Sequence, residues 1–165
     1  MSASGQGTPT GGTSPDDAIR DVRDRLEIAD LMHRYAQMVD FREWDRMDSV
    51  FAPDATIDYT STGGKSGPYR DILAWLDRAL EPWPVNLHFI TNLTVELDGD
   101  RARSRCYFNA PMGRVGDDGA QLVITNAGYY ADDLVRTEAG WRITQRHCEQ
   151  TLMIGQLPDG YVIPE

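Results

Sequence analysis

The sequence predicts an α+β domain in which helices gathered in its first half pack on a strongly bent, mostly antiparallel β-sheet. Three observations predict it. Apolar residues recur at helical spacing as far as Leu80 and at alternate positions after Pro84. The later strands follow one another through short turns, so neighbours join as hairpins and not through crossover helices. Gly128 and Pro111 interrupt long strand patterns, as expected where a sheet curls and leaves a cavity under its helices.

The elements can be justified in order. Residues 1–13 are Gly, Ser, Thr and Pro with little to bury, and read as a disordered tail. Ser14 is a helix cap, Pro15 suits the first helical position, and Asp16 and Asp17 complement the positive end of the helix dipole. Ile28, Leu31, Met32, Tyr35 and Val39 then form one apolar face. A second short helix fits Trp44, Met47, Val50 and Phe51, with Pro53 expected to stop it. Ala55–Ser61 reads as a strand closed by Gly63-Gly64. A third helix opens near Pro68, points Ile72, Trp75, Leu76 and Leu80 inward, and ends before Pro82.

Leu93, Val95 and Leu97 then alternate with Thr94 and Glu96, and Asp98-Gly99 turns the chain into Arg101–Ala110. A glycine-rich loop from Gly113 to Gly119 precedes a strand over 121–136, and a turn at 137–140 leads into Trp141–Met153. Residues 14–153 make one domain, and 154–165 an irregular C-terminal tail.

With 165 residues the chain has the length of one domain with a real core. Its 16 Lys and Arg against 26 Asp and Glu give a net charge of -10, which argues against nucleic acid and acidic membrane surfaces. No apolar run reaches the ~20 residues of a membrane span, and the N-terminus lacks the pattern of a signal peptide. Cys106 and Cys148 read as small buried hydrophobes in a reducing compartment, so cytoplasm is the expected location. Polar alternation is poor around Val123, Thr125, Ala127 and Tyr129, which predicts a covered outer sheet face and a homodimer.

Few residues carry chemistry. Asp40 ends the first helix, where the dipole disfavours a carboxylate, so water, Arg42 or a distant partner must compensate. His88 sits among apolar neighbours, as a structural histidine or a catalytic one. His33 and His147 are far from it in sequence, and no His-x-x-x-His or Cys partner suggests a metal site. Tyr35 and Tyr59 read as core residues whose phenols reach a wet edge.

Together, Tyr35-x4-Asp40, Trp44-Asp45, Phe51-x-Pro53-Asp54-Ala55, Asp58-Tyr59, His88-x3-Asn92, Asp98-Gly99 and Gly140-Trp141-Arg142-Ile143 resemble the SnoaL-like branch of the nuclear transport factor 2-like superfamily. Within it the pattern is most similar to the group of scytalone dehydratase, bile-acid 7α-dehydratase and hexachlorocyclohexane dehydrochlorinase. The resemblance implies a cone, in which a curved mixed sheet wrapped by three helices encloses an apolar pocket. It implies that Asp40 and His88 form a dyad there and that Tyr35 and Tyr59 hold a substrate oxygen. Two departures stand out. The dehydratases carry another acidic or histidine group on the middle strand, where this chain has Cys106, Tyr107, Phe108 and Asn109. The dehydrochlorinase has lysine where Tyr35 stands.

A carboxylate bonded to one imidazole nitrogen leaves the other as a base near neutral pH, and two phenols can stabilise an enolate. Dehydration of a small cyclic or polyketide-, steroid- or terpenoid-like molecule follows, with neither metal nor organic cofactor required. Asn109, Asn126, Arg146, Trp44, Phe108 and Tyr129 are the candidates for binding that molecule. An isomerase using the same base, and a binding protein without catalysis, are the alternatives.

Overall fold

A computed structural model describes residues 14–116, 118–158 and 160–163, so the tail expected over 1–13 lies outside the described residues. Helix α1 runs Pro15–Asp40, and the Ser14 side chain accepts from the Asp17 N–H at 3.1 Å. Its buried stripe of Ile28, Leu31, Met32, Tyr35 and Val39 is the predicted apolar face. A 3₁₀ helix, Trp44–Ser49, follows, and then β1 at Phe51–Asp58. Pro53 therefore does not stop a helix before the strand, as the sequence had suggested. It lies inside β1, exposed, where the pairing register shifts between Phe51 and Thr56, and this irregularity tolerates a residue without an N–H.

A short 3₁₀ turn (Thr60–Thr62) and β2 (Ser66–Pro68) lead to α2, Tyr69–Leu80. Two residues of β3 (Val85–Asn86) precede β4 (Phe89–Asp98), β5 (Arg101–Val115), β6 (Gln121–Thr137) and β7 (Gly140–Ile154). The strands form one seven-stranded sheet in the order β2-β1-β7-β6-β5-β3, with β4 also on β5. Among the described residues only the β1–β7 pair is parallel. Three helices and a curled mixed sheet thus make a half-barrel, as the resemblance implied.

The curl has visible causes. The β6–β7 register shifts at Ala127/Gly128 and at Asp133/Leu134, and the β4–β5 register shifts between Thr91 and Thr94. At Gly128 a Cβ would lie 1.8 Å from the Glu149 carbonyl oxygen, so only glycine lets β6 approach β7 this closely. The concave face carries Cys106, Phe108, Tyr130, Leu134 and Ile143, and it packs with the helical stripes into a single core. Among the described residues no helix is long and apolar enough to cross a membrane.

One polar clamp seats α1 on the sheet. Asp24, 3% exposed, accepts from Arg136 Nη2 at 2.6 Å and from Trp141 Nε1 at 3.3 Å. Arg136 also lies over the Trp141 ring, 4.5 Å from its centroid. The Gly-Trp motif of the last hairpin is therefore part of the scaffold.

Candidate active site

The site begins where a strand breaks. β3 and β4 both pair with β5, but between them Leu87 and His88 leave the ladder. Leu87 donates to the Pro111 carbonyl at 3.1 Å, while the His88 N–H turns to Asp40 Oδ2 at 2.9 Å. The other carboxylate oxygen, Oδ1, lies 2.6 Å from His88 Nδ1. Asp40 thus holds both the backbone and the ring of one residue. Arg42, the compensating neighbour suggested by sequence, instead donates to the Leu80 carbonyl.

Side chains of Asp40 and His88 are 13% and 10% exposed, so their attraction is only partly screened. A carboxylate only accepts, so Nδ1 carries a hydrogen, and in the neutral ring Nε2 is then the nitrogen with the lone pair. Nε2 has no hydrogen-bond partner among the described residues. His88 lines a cavity of about 350 Å³.

Tyr35, from α1, and Tyr59, after β1, line the same cavity, and their hydroxyls are hydrogen-bonded to each other. Burial raises the pKa of Tyr35, with the Arg146 charge partly opposing it, and holds Tyr59 well above the usual phenol range. Both are neutral donors at ordinary pH. Asn126 and Phe108 also line the cavity. Trp75, Leu76, Ile124, Met112 and Leu80 supply apolar surface.

Four of the expected binding residues lie elsewhere, which corrects that expectation. Asn109 is exposed on the convex face, because on β5 the inward positions are Phe108 and Ala110. Tyr129 also faces outward and carries Arg105 over its ring at 3.9 Å from the centroid. Trp44 opens the first 3₁₀ helix and reaches α2, donating to Asp77 Oδ1 at 2.7 Å. Arg146 points inward but stands behind the tyrosines. Asp132 accepts from its Nε at 2.7 Å and its Nη2 at 2.8 Å, and both side chains are fully buried. Burial opposes the Arg146 charge and the Asp132 carboxylate more than offsets it.

Sequence reasoning missed Tyr130, Cys148 and Gln150 on the cavity wall, and Leu157, Tyr161 and Ile163 from the C-terminal segment. Tyr130 had a signal: it shares strand parity with Ile124, Asn126 and Leu134, which Tyr129 does not. The C-terminal segment had none. It is held where Tyr161 Oη accepts from Trp83 Nε1 at 3.3 Å. Burial pushes the Cys148 thiol up to about 12, which keeps it protonated. Among the described residues no group of three or more His, Cys, Asp or Glu could hold a metal ion.

A curled sheet roofed by helices, with a cavity between them that His88 helps to line, is the fold of the cystatin-like, nuclear transport factor 2-like class. Residues 20–147 match the SnoaL-like domain, and the chain belongs to that family. It is 42% identical over 139 residues to the uncharacterized protein Rv2910c of Mycobacterium tuberculosis, covering 82% of this chain and 93% of that one. A candidate aromatic ring hydroxylase from Novosphingobium aromaticivorans is similar in structure at TM-score 0.71, with 30% identity over 82% of this chain and 94% of that one. A candidate scytalone dehydratase from the same species shares the fold at TM-score 0.71 and 17% identity, over 90% of this chain and 99% of that one.

Proposed function

We propose that this protein is a lyase of the dehydratase type that removes a proton α to a carbonyl and then expels a β-hydroxyl. The observation that carries the reading is the double grip of Asp40 on His88, which leaves Nε2 free on the cavity wall shared with Tyr35 and Tyr59. Nε2 takes the α-proton, and the Asp40 carboxylate stabilises the imidazolium so formed. The tyrosine pair donates to the substrate carbonyl oxygen as charge develops there. The leaving hydroxide takes its proton back from His88, so water departs and the base is regenerated. Neither a metal nor an organic cofactor is needed for this sequence.

A second reading, isomerase, is favoured by one specific feature. Besides His88, the cavity wall presents only neutral phenols and a thiol as proton carriers among the described residues. One base that returns its proton to a different carbon needs no second acid. Incubation with metabolite extracts, read by mass spectrometry, separates the two. The dehydratase reading expects a species that loses 18 mass units (one water), which His88→Ala fails to form. A new species of unchanged mass, also dependent on His88, would make the isomerase the correct account. No His88-dependent product of either kind would leave a binding protein.

A further inference from the structure

We propose that Tyr130 is a further catalytic residue, the principal hydrogen-bond donor to the substrate oxygen, and that the substrate is a neutral ketone with an apolar body. The chemistry rests on the proton-transfer reading above, but the assignment comes from a count of the phenol donors. Each phenol has one O–H to give. The hydroxyls of Tyr35 and Tyr59 are bonded to each other, so one of their two donors is spent inside the pair. Tyr130 lines the same cavity, and its hydroxyl has no partner among the described residues. It is also absent from the unpartnered polar atoms sealed in protein, which are Asn86 Oδ1, Ser104 Oγ and Arg146 Nη1. Its hydroxyl is thus open to whatever fills the cavity.

The ring of Tyr130 is held for this work. Phe108 stacks on it at 4.6 Å between centroids and 20° between planes. The Arg146 guanidinium lies 4.3 Å from the Tyr130 centroid and 4.1 Å from that of Tyr35. A cation against the π-cloud draws electron density from the phenol and strengthens its O–H as a donor. A ring fixed by packing does not have to be ordered when charge develops on the substrate, which is what an oxyanion donor requires. Burial holds the Tyr130 pKa well above the usual phenol range, so the proton is present to be donated.

The same wall selects charge. Among the described residues that line the cavity none is Asp, Glu, Lys or Arg, and the Arg146 guanidinium behind the rings is paired with Asp132. A carboxylate or phosphate on the substrate would lose its hydration and meet only His88, whose charge is already matched by Asp40. A neutral carbonyl compound loses far less and gains the phenol.

The test uses the full chain and a neutral aromatic ketone, 6-propionyl-2-(dimethylamino)naphthalene, whose propionyl group carries exchangeable α-protons. Infrared difference spectra report the carbonyl stretch of the bound ketone, and mass spectrometry in heavy water reports exchange of those protons. In the wild type the stretch is expected at lower wavenumber than in dry hydrocarbon. Tyr130→Phe, which keeps the stacked ring, should lose most of that displacement and slow exchange by about 10²-fold. Tyr59→Phe should change both by less. An unaltered stretch in Tyr130→Phe, or failure of the ketone to bind the wild type, would overturn the proposal. If the wild type exchanges no faster than His88→Ala, the proton-transfer reading falls, and the stretch alone then decides whether Tyr130 is the donor to a bound ligand.

Discussion

Asp40 makes two contacts with His88, and a single substitution separates them. In Asp40→Asn the amide oxygen can still accept from the His88 N–H, which keeps the strand break in place. The amide nitrogen then faces Nδ1, so the ring is forced to accept there and to carry its hydrogen on Nε2. The base nitrogen is lost although the shape is kept. We expect a folded protein by circular dichroism with a rate lowered by about 10²–10⁴-fold. An Asp40→Asn protein with full turnover would show that the carboxylate does not set the tautomer. The motif spacing made Tyr35, Asp40, Tyr59 and His88 legible in the sequence as candidates. Arg146 was legible as a candidate too, but not as half of an ion pair, because Asp132 lies on the neighbouring strand and nothing local links them.

At the scale of elements, β7 explains what the sequence could not convey. Trp141 and Ile143 point inward, and the register shift at Asp133/Leu134 then moves the inward set to Arg146 and Cys148. A second shift, at Ala127/Gly128, brings Met153 inward as well as Gln150. Period-two reading of one strand has no access to such shifts, because they are set by the partner. Helix α1, the start of β5 and both ends of β6 were readable, since caps, turns and apolar spacing are local, but β5 runs on to Val115 through the expected stop at Ala110 because β6 pairs with it along that whole length. Gly128 tests the account of the curl. A methyl at Gly128 would meet the Glu149 carbonyl, so Gly128→Ala should cost about 3 kcal/mol in urea unfolding. An unchanged midpoint would mean that the strands need not approach so closely.

The clamp between α1 and the last hairpin adds a pH dependence with a definite sign. Hydrogen bonding from Arg136 holds the Asp24 carboxyl below its usual range. Its contribution to stability is therefore complete above the ordinary carboxylate pKa and is lost as pH falls through the lowered value. Asp24→Asn should be less stable at pH 7 by about 2 kcal/mol, as for a hydrogen bond to a charged group. It should also lack the part of acid destabilisation that the wild type shows below about pH 4. A parallel acid profile for both proteins would remove Asp24 as a contributor.

For the whole molecule, the convex sheet face exposes apolar residues that the cavity does not explain. Phe89 is 54% exposed, Tyr107 49%, Val123 53% and Leu152 51%; Val123 is one of the residues whose poor alternation predicted a covered face, and Tyr107 and Leu152 pair with two others, Tyr129 and Ala127. We expect a homodimer through this face at micromolar concentration. A monomeric mass by light scattering, unaffected by Tyr107→Lys, would contradict it. The half-barrel itself was legible because helices precede hairpin-linked strands, whereas the place of Leu157, Tyr161 and Ile163 on the cavity wall was not. That segment carries no period, and only the packed cavity gives it a place.

The central claim is that His88 removes a proton from carbon inside this cavity, and deuterium uptake tests it most directly. A panel of cyclic ketones is incubated with protein in heavy water and read by mass spectrometry, with and without His88→Ala. The account predicts at least one ketone that gains deuterium at its α-carbon with the wild type and, at equal occupancy, about 10²-fold or more slowly with His88→Ala. Equal exchange by both proteins for every ketone that binds would contradict it and leave the cavity as a binding site.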